Sequence, residues 1–196
     1  DAVLTLAQAD KEQGLKLLQG FNVSQDKKVV AISVRSWGCS NKYLQELAKV
    51  ADALVIQTKV QIVLLPLQYP ADVAACKKLQ QFMEQDAIIL DAAFDTEQFL
   101  ALMGNFSLLI GMRLHALIFA AVMEVPFIAL SYDPKIDGFV KEINGTNIGA
   151  IEKFAADDLI IAAQKTLEFE NTGNERLVQL RTKALENSQL AFELLK

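Results

Sequence analysis

The chain has 196 residues, of which 52% are hydrophobic and 22% are charged, and its net charge is −5. This length and composition predict one globular α/β domain with an ordinary core, and they argue against intrinsic disorder. The negative charge disfavours nucleic acid as a partner. No apolar run reaches the roughly 18 residues of a membrane span. The longest one, residues 114–123, predicts a buried helix.

Few residues are suited to redox or metal chemistry. Cys39 and Cys76 are far apart in the sequence, which predicts free thiols in a reducing compartment, the cytoplasm. With one histidine and no cysteine pair, the sequence predicts no zinc site. The chain begins at Asp1, without an initiator methionine or a signal segment. We therefore expect a longer protein whose N-terminal domain precedes these residues.

Short apolar strands alternate with helices along the chain. The run KVVAISVR at residues 28–35 is β-branched and almost continuously apolar, which predicts a strand buried on both faces. Further strands are predicted at 60–66, 86–90, 107–111 and 126–131, and helices at 42–57, 71–84, 96–103 with Thr96 as N-cap, 112–123 and 155–196, the last broken at 171–173. Residues 144–149 are predicted to form a loop.

This alternation predicts βαβ units with right-handed crossovers, and therefore a Rossmann-like parallel sheet flanked by helices. The predicted domain has a core at about 28–150 and a helical C-terminal tail at about 155–196. Ligands of such sheets bind outside the carboxyl ends of the strands. The candidate site loops are accordingly those at the strand exits: 33–40, 66–70, 90–93, 111–115 and 131–138.

The loop at 111–115 carries the largest number of candidate functional groups. Gly111 is expected to allow a tight turn and close approach of a ligand. The helix start that follows favours an anion, and Arg113 can bind a phosphate or carboxylate through two hydrogen bonds. His115 is the only histidine of the chain, and histidine exchanges a proton near neutral pH. Alternatively, Arg113 pairs with a carboxylate and His115 is a hydrogen-bonded core residue.

Three other loops offer candidates with equally plain alternatives. Arg35 closes a buried strand, so it must reach into a cleft or form an ion pair with a helix carboxylate. The loop at 131–138 combines Tyr132, Asp133 and Lys135 with turn-forming residues, and its alternative interpretation is a solvated turn. Gln68 could orient a substrate, or its loop could be a simple connector.

Several common enzyme motifs are absent from the sequence. There is no Walker-type phosphate loop and no G-x-G-x-x-G after the first strand, which disfavours a kinase or a dinucleotide dehydrogenase. There is also no G-x-S-x-G elbow for a serine hydrolase.

The stretch GMRLHALIFAAVMEVPFIALSYDPKIDGF at 111–139 closely resembles the polysaccharide pyruvyltransferase family. It is most similar to the branch that pyruvylates the secondary cell-wall polymer anchoring bacterial S-layer proteins. VVAISVRSW at 29–37 and VLLPLQYPAD at 63–72 fit the same pattern. The resemblance extends over about residues 1–150. The one departure is Glu124, where the family pattern favours a small residue, often glycine.

The resemblance implies that this chain is the C-terminal Rossmann-like half of a two-domain GT-B-like enzyme. It implies phosphoenolpyruvate as donor, no cofactor, and an N-acetylmannosamine unit on a lipid-linked precursor as acceptor, which would bring the protein to the inner face of the membrane. The family's donor-site run matches Arg113, Leu114 and His115, and its first-strand arginine matches Arg35. His115 would then be the general acid or base, and the two arginines would bind the donor's anionic groups.

Two other functions share many of these features. One is a GT-B glycosyltransferase domain that binds a nucleotide-sugar, whose phosphates also lie at a helix start. The other is a non-catalytic domain that binds a sugar or an anion. Pyruvyl transfer is favoured over these two functions by the joint presence of Arg35, Arg113 and His115. The absence of an obvious acidic group for a nucleotide ribose points the same way.

Overall fold

The computed structural model of the protein describes residues 2–38, 40–168, Gln179 and Thr182. After a short 3₁₀ helix at Ala2–Thr5, strands and helices alternate. The strands are β1 (Val29–Ser33), β2 (Gln61–Leu64), β3 (Ala87–Ile89), β4 (Leu108–Gly111), β5 (Phe127–Ser131) and β6 (Thr146–Ala150). The helices are α1 (Lys11–Gly20), α2 (Lys42–Thr58), α3 (Val73–Phe82), α4 (Thr96–Met103), α5 (Leu114–Val122), α6 (Pro134–Glu142) and α7 (Ala156–Glu168).

The six strands form one parallel sheet in the order β3-β2-β1-β4-β5-β6. From β1, strands β2 and β3 extend the sheet on one side. The chain then crosses back, and β4, β5 and β6 extend the sheet on the other side of β1. The loops that leave β1 and β4 consequently diverge, which opens a crevice between the carboxyl ends of these two neighbouring strands. Ser33 lies opposite Gly111 in this pair, so the crevice begins where those two residues end their strands.

The sheet separates two hydrophobic layers. Successive residues of β1 alternate between them: Val29 and Ala31 pack with the layer that contains α1, α4, α5 and α6, whereas Val30 and Ile32 pack with the layer of α2, α3 and α7. Every residue of β1 and β4 is buried, which confirms the prediction of strands covered on both faces. The fold prediction, a parallel sheet flanked by helices, is confirmed.

The predicted elements up to β5 agree with the structure to within a few residues. Beyond β5, one alternative interpretation and one prediction are wrong. Residues 131–138 do not form a solvated turn, because Pro134 begins α6 with Asp133 as its N-cap. Residues 144–149 do not form a loop, because Thr146–Ala150 pairs with β5 as the edge strand β6. Pro and Gly residues in these segments resemble turn signals, but they lie at a helix start and on a sheet edge, where both residues are tolerated.

Helix boundaries also explain two smaller differences. The N-cap of α4 is Asp95, not Thr96, and it forms a reciprocal capping box with Gln98. Glu124, the position at which the family pattern favours glycine, has a φ of 58° just after α5. Glycine reaches this left-handed region without strain, whereas other residues reach it at a cost. The departure at Glu124 therefore concerns a helix end and not the site.

The predicted helical tail lies mostly outside the described residues. Its first part is α7, and beyond Glu168 only Gln179 and Thr182 are described, both as helical. The predicted break at residues 171–173 is outside the described residues. In the described part of the chain, no helix combines the length and the apolar character that crossing a membrane requires.

Candidate functional site

A cavity of about 550 Å³ lies at the carboxyl edge of the sheet, on the face covered by α4 and α5. Its wall comes from the β2 exit, the start of α4, the start of α5 and the β5 exit. The lining residues are Leu67, Gln68, Phe94, Asp95, Thr96, Phe99, Arg113, Leu114, His115, Phe119 and Tyr132. Five of the residues predicted from the sequence are therefore brought together: Gln68, Arg113, Leu114, His115 and Tyr132. We call this the α5 cavity.

The start of α5 forms one side of this cavity. Gly111 was predicted to form a tight turn, but it is the last residue of β4. A Cβ at Gly111 would lie 3.2 Å from Leu117 Cδ2, so glycine here allows α5 to pack closely on the strand. Arg113 is the N-cap of α5, and its side chain makes no capping hydrogen bond. Leu114 and His115 follow as the first two residues of the helix.

His115 lies on the exposed side of α5 and lines the α5 cavity, with its ring centroid 6.5 Å from that of Phe119. The alternative interpretation of His115 as a core residue is therefore wrong. An exposed imidazole in a cavity wall can reach a bound ligand, and histidine is the side chain best suited to exchange a proton near neutral pH.

Arg113 forms a bidentate ion pair with Asp72, which follows β2. Arg113 Nε donates to Asp72 Oδ2 at 3.0 Å, and Nη2 donates to Asp72 Oδ1. Arg113 Nη2 also donates to Gln68 Oε1 at 3.1 Å, and Asp72 Oδ2 accepts the backbone N–H of Gln68 at 2.9 Å. Asp72 is 1% exposed. The carboxylate partner predicted as an alternative for Arg113 is therefore present, although Arg113 also lines the cavity.

Arg35 is held beside Tyr132, next to the α5 cavity. Arg35 Nη1 donates to the Tyr132 hydroxyl at 3.0 Å, and the Arg35 Cζ atom lies 5.3 Å from the centroid of the Tyr132 ring. The Trp37 ring packs against the Tyr132 ring, with centroids 4.5 Å apart. No ion pair between Arg35 and a carboxylate occurs among the described residues, so the alternative predicted for Arg35 is not observed.

Tyr43 on α2 supports the backbone at Arg35. Its hydroxyl donates to the carbonyl oxygen of Arg35. Burial raises the pKa of Tyr43 to about 12, so this hydroxyl stays protonated and able to donate throughout the physiological range. Burial, together with the nearby carboxylate of Asp72, also raises the pKa of the Cys76 thiol to about 12. A protonated, buried thiol is a poor nucleophile, so Cys76 is a core residue.

Two buried side-chain atoms in the described part of the chain have no hydrogen-bond partner: Ser33 Oγ and Arg35 Nε. Both belong to the end of β1, and their residues are two positions apart. Ser33 is 1% exposed. Buried polar groups are normally paired, so these two unpaired atoms at the end of β1 are exceptions to the usual pattern.

Asp133 and Lys135 are placed differently from the other predicted site residues. The Asp133 carboxylate accepts the backbone N–H of Lys135 at 2.9 Å and so caps α6. Neither residue lines the α5 cavity. Lys135 is exposed in the first turn of α6, on the same edge of the sheet. The structure thus brings five predicted residues to the cavity wall, holds Arg35 against one of them, and leaves these two outside.

Sequence reasoning missed Asp72 and Ser33. The sequence placed Asp72 in the first turn of the helix predicted at 71–84, just after the strand-exit loop at 66–70, from where a carboxylate can reach a neighbouring loop. Ser33 carries no sequence signal, because a serine at the end of an apolar strand is ordinary. Among the described residues, no group of three or more His, Cys, Asp or Glu side chains is arranged to hold a metal ion.

The fold resembles that of several solved sugar-metabolising enzymes. ADP-heptose lipopolysaccharide heptosyltransferase II from E. coli is 14% identical with a TM-score of 0.67, over 82% of this chain and 52% of that one. A family 9 glycosyl transferase from Veillonella parvula is 15% identical with a TM-score of 0.60, over 80% and 51%. The C-terminal domain of a group 1 glycosyl transferase from Francisella tularensis is 14% identical with a TM-score of 0.57, over 84% and 87%.

At these identities the likeness concerns the fold alone. The chain spans about half the length of the first two enzymes and most of the length of the third. No curated protein sequence matches the chain. The sequence model of the family described as polysaccharide pyruvyl transferase, however, matches residues 1–134, which include β1 to β5 and every residue of the α5 cavity. The chain belongs to the polysaccharide pyruvyl transferase family.

Proposed function

We propose that this domain binds phosphoenolpyruvate in and beside the α5 cavity and takes part in transferring its pyruvyl group to a sugar as a ketal. The observation that carries the proposal is the convergence of Arg113, Leu114 and His115 on one cavity wall, with Arg35 held next to it, in a member of this family. The family assignment supports a polysaccharide-modifying transferase. The donor, the acceptor and the residue roles are our inference.

The charges around the α5 cavity suit a dianionic or trianionic donor. Arg113 and Arg35 are cationic, and the start of α5 presents the positive end of a helix dipole. Asp72 offsets the charge of Arg113 but occupies only its Nε and Nη2 atoms. Nη1 is not part of that pair, so Arg113 can bind a donor oxygen while Asp72 keeps the guanidinium in place.

The reaction needs one proton transfer at carbon and one leaving group. A sugar hydroxyl oxygen bonds to C2 of the enolpyruvate and loses its proton, while C3 gains a proton and becomes a methyl group. The C2–O bond to phosphate then breaks, a second sugar hydroxyl oxygen bonds to C2, and its proton leaves with the inorganic phosphate. We assign to His115 one of these proton transfers, as general acid or general base, because it is the exposed imidazole of the cavity wall.

The acceptor contacts belong to the outer part of the site. Gln68 and Tyr132 line the α5 cavity, and Lys135 is exposed at the same edge, where its backbone N–H donates to the Asp133 carboxylate. We propose that these side chains meet the acceptor, an N-acetylmannosamine unit of a lipid-linked secondary cell-wall precursor of the S-layer type. Transfer would then take place in the cytoplasm, at the membrane face that carries the precursor.

We propose further that residues 1–196 form a single Rossmann-like domain, the C-terminal half of a two-domain enzyme. The match to the separate C-terminal domain of the Francisella tularensis glycosyl transferase, over 87% of that domain, supports this placement. An N-terminal domain would form the facing wall of the cleft and hold the acceptor. The isolated chain is therefore expected to bind phosphoenolpyruvate weakly and to transfer nothing.

The test compares ligands on the complete protein by thermal shift and then by product formation. Stabilisation by phosphoenolpyruvate, followed by formation of a pyruvylated lipid-linked disaccharide with release of phosphate, is the expected result. Stabilisation by a uridine diphosphate but not by phosphoenolpyruvate would instead identify a nucleotide-sugar glycosyltransferase. Binding of a sugar without any turnover would point to a non-catalytic domain.

A further inference from the structure

A second cavity lies at the carboxyl edge of the sheet, on the face opposite the α5 cavity. Its volume is about 580 Å³, and its lining residues come from the β1 exit, the first turns of α2 and the segment between β6 and α7. Tyr43, Ile151 and Phe154 are buried in its floor, within the hydrophobic layer of α2 and α7. Trp37 also lines this cavity, which we call the Trp37 cavity.

The Trp37 ring forms the boundary between the two cavities. Its centroid lies 4.5 Å from that of Tyr132, and Tyr132 lines the α5 cavity. Tyr132 packs against both hydrophobic layers, so it lies where the two faces of the sheet meet. The indole Nε1 donates to Glu152 Oε1 at 3.2 Å, which limits the rotation of the Trp37 ring. One pair of contacting rings therefore separates two cavities that lie at the same edge of the sheet.

The polar groups around the Trp37 cavity are balanced in charge. Lys42 and Lys153 are exposed at its rim, and Glu46 and Glu152 also line it, so the formal charges cancel. Within the described residues neither lysine forms an ion pair. Glu46 accepts from a lysine of its own helix and Glu152 from the indole, each through Oε1, which leaves Oε2 able to accept. This lining gives little net attraction to an anion or a cation, but it offers donors and acceptors to a neutral molecule with many hydroxyl groups.

The aromatic part of the lining favours a sugar over other neutral polar molecules. One face of a pyranose ring presents C–H groups, which are apolar and weakly positive, and the face of an indole is apolar and weakly negative. A sugar ring can therefore stack on tryptophan while its hydroxyl groups reach polar side chains around it. The cavity volume of about 580 Å³ falls within the roughly 300–1,000 Å³ of typical small-molecule sites, so a sugar unit fits.

We infer that the Trp37 cavity is a saccharide subsite, which holds the acceptor sugar linked to the one that receives the pyruvyl group. The inference rests on the proposed function and deepens it, because it gives the acceptor two adjacent subsites. The pyruvylated sugar lies in the α5 cavity beside Tyr132 and His115, and its neighbour stacks on Trp37, across the ring pair. Lys42, Lys153 and the two glutamates bind the hydroxyl groups of that neighbour. The enzyme therefore distinguishes a disaccharide acceptor from a monosaccharide.

Acceptors of two lengths test this inference on the complete enzyme. Steady-state kinetics measures KM for a monosaccharide glycoside of N-acetylmannosamine and for a disaccharide that contains the same unit. We expect the wild-type KM to be about tenfold lower for the disaccharide, because one ring stacks and one or two hydrogen bonds form. Trp37→Ala and Glu152→Ala should each remove most of this difference by raising the KM of the disaccharide alone.

Control variants separate the subsite from indirect effects. Because Trp37 packs against Tyr132, which contacts Arg35, KM for phosphoenolpyruvate is measured in the same variants. If Trp37→Ala weakens donor binding, Glu152→Ala becomes the deciding variant, since it leaves the two rings in place. The matched control is Glu142→Ala, which replaces an exposed glutamate that ends α6 and lines neither cavity. This control should behave as the wild type with both acceptors.

The emission of Trp37 measures binding without turnover. Trp37 is the only tryptophan among these 196 residues, so the difference in emission between the complete wild type and its Trp37→Phe variant reports on this ring. Adding the free disaccharide should change this difference saturably. The saturation should shift to higher disaccharide concentration in a Glu152→Ala background and should not shift in a Glu142→Ala background.

The outcomes distinguish this subsite from the proposed function. Transfer with equal KM values for the two acceptors, or a Glu152→Ala variant that keeps the full preference, overturns the subsite alone. A wild-type enzyme that transfers nothing from phosphoenolpyruvate overturns the proposed function. In that case a saturable emission change with the disaccharide still supports a saccharide site, and an unchanged emission overturns it. An emission change with uridine diphosphate but not with the disaccharide would identify a nucleotide site and overturn the inference.

Discussion

The N-termini of α5 and α6 follow neighbouring parallel strands but differ in charge. The start of α6 carries its own anions, because Asp133 caps the helix and Asp137 lies in the first turn. The start of α5 has Arg113 at the N-cap, no capping side chain and no acidic residue in its first turn. One helix end is thus neutralised by its own sequence, and the other presents positive charge to the α5 cavity.

This difference shows why two polar strand-exit loops can have different functions. Both loops carry charged residues after a buried strand, but the carboxylate of Asp133 accepts a hydrogen bond from the backbone of α6. At α5 the offsetting carboxylate comes from Asp72, in another loop, and it engages the arginine side chain rather than the helix end. We therefore propose that the start of α5 binds the donor and that the Asp133 cap of α6 has a structural role. Three substitutions test this assignment.

The largest effect is expected at His115. His115→Gln keeps the approximate size and the hydrogen-bonding capacity but cannot transfer a proton in the same way. In the complete enzyme, we expect kcat to fall by roughly 10²–10⁴. The affinity for phosphoenolpyruvate should change far less, because His115 acts on the reacting atoms. Steady-state kinetics beside calorimetry measures both quantities.

The melting temperature of the His115→Gln variant is the control for this experiment. Since His115 is exposed, the substitution should leave the melting temperature near that of the wild type. A well-folded variant with an unaltered kcat would remove His115 from the mechanism, and the comparison between α5 and α6 would then rest on ligand binding alone.

Arg113→Ala should have an intermediate effect, seen as weaker donor binding. Losing a charge-assisted contact costs roughly 1.5–3 kcal/mol, which is about tenfold or more in affinity. The substitution also leaves the buried carboxylate of Asp72 without its partner, so stability should fall as well. Calorimetry with phosphoenolpyruvate and with inorganic phosphate should show losses for both ligands.

A double variant separates binding from folding in this case. Asp72→Asn combined with Arg113→Gln removes both charges together, so it should recover stability relative to Arg113→Ala. It should not recover donor affinity. If the double variant binds phosphoenolpyruvate as tightly as the wild type, the Arg113–Asp72 pair is structural, and the start of α5 is no more a ligand site than that of α6.

The smallest effect is expected at Asp133, and it should concern stability only. Asp133→Ala removes the N-cap of α6 and should lower the free energy of unfolding by roughly 0.5–2 kcal/mol. Asp10 caps α1 in the same way, by accepting the backbone N–H of Glu12 at 2.9 Å, so Asp10→Ala is the matched control. Denaturant melts should give similar losses for the two variants. A selective loss of acceptor affinity in Asp133→Ala would show that Asp133 itself contributes to acceptor binding and is not only a helix cap.

Local patterns determined most of the sheet. β1 and β4 are short and almost continuously apolar, as strands buried on both faces are, so they could be predicted directly from the sequence. The same holds for α5, whose residues are all apolar except His115. α6 and β6 could not be read in this way, because Pro134 and the glycines near β6 give turn signals, while the neighbouring β5 supplies the hydrogen bonds that make Thr146–Ala150 a strand.

The sequence by itself determined the parallel α/β class and predicted the strand exits as the place of the candidate site, with Arg113 and His115 as neighbours at one helix start. These follow from local periodicity and from the rule that ligands meet the carboxyl ends of parallel strands. Only the tertiary structure decided that Asp72 pairs with Arg113, that Tyr132 orients Arg35, and that Ser33 is left unpaired. Hydrogen bonds between different strand exits depend on the order of strands in the sheet, and this order cannot be predicted from the separation of the residues in the sequence.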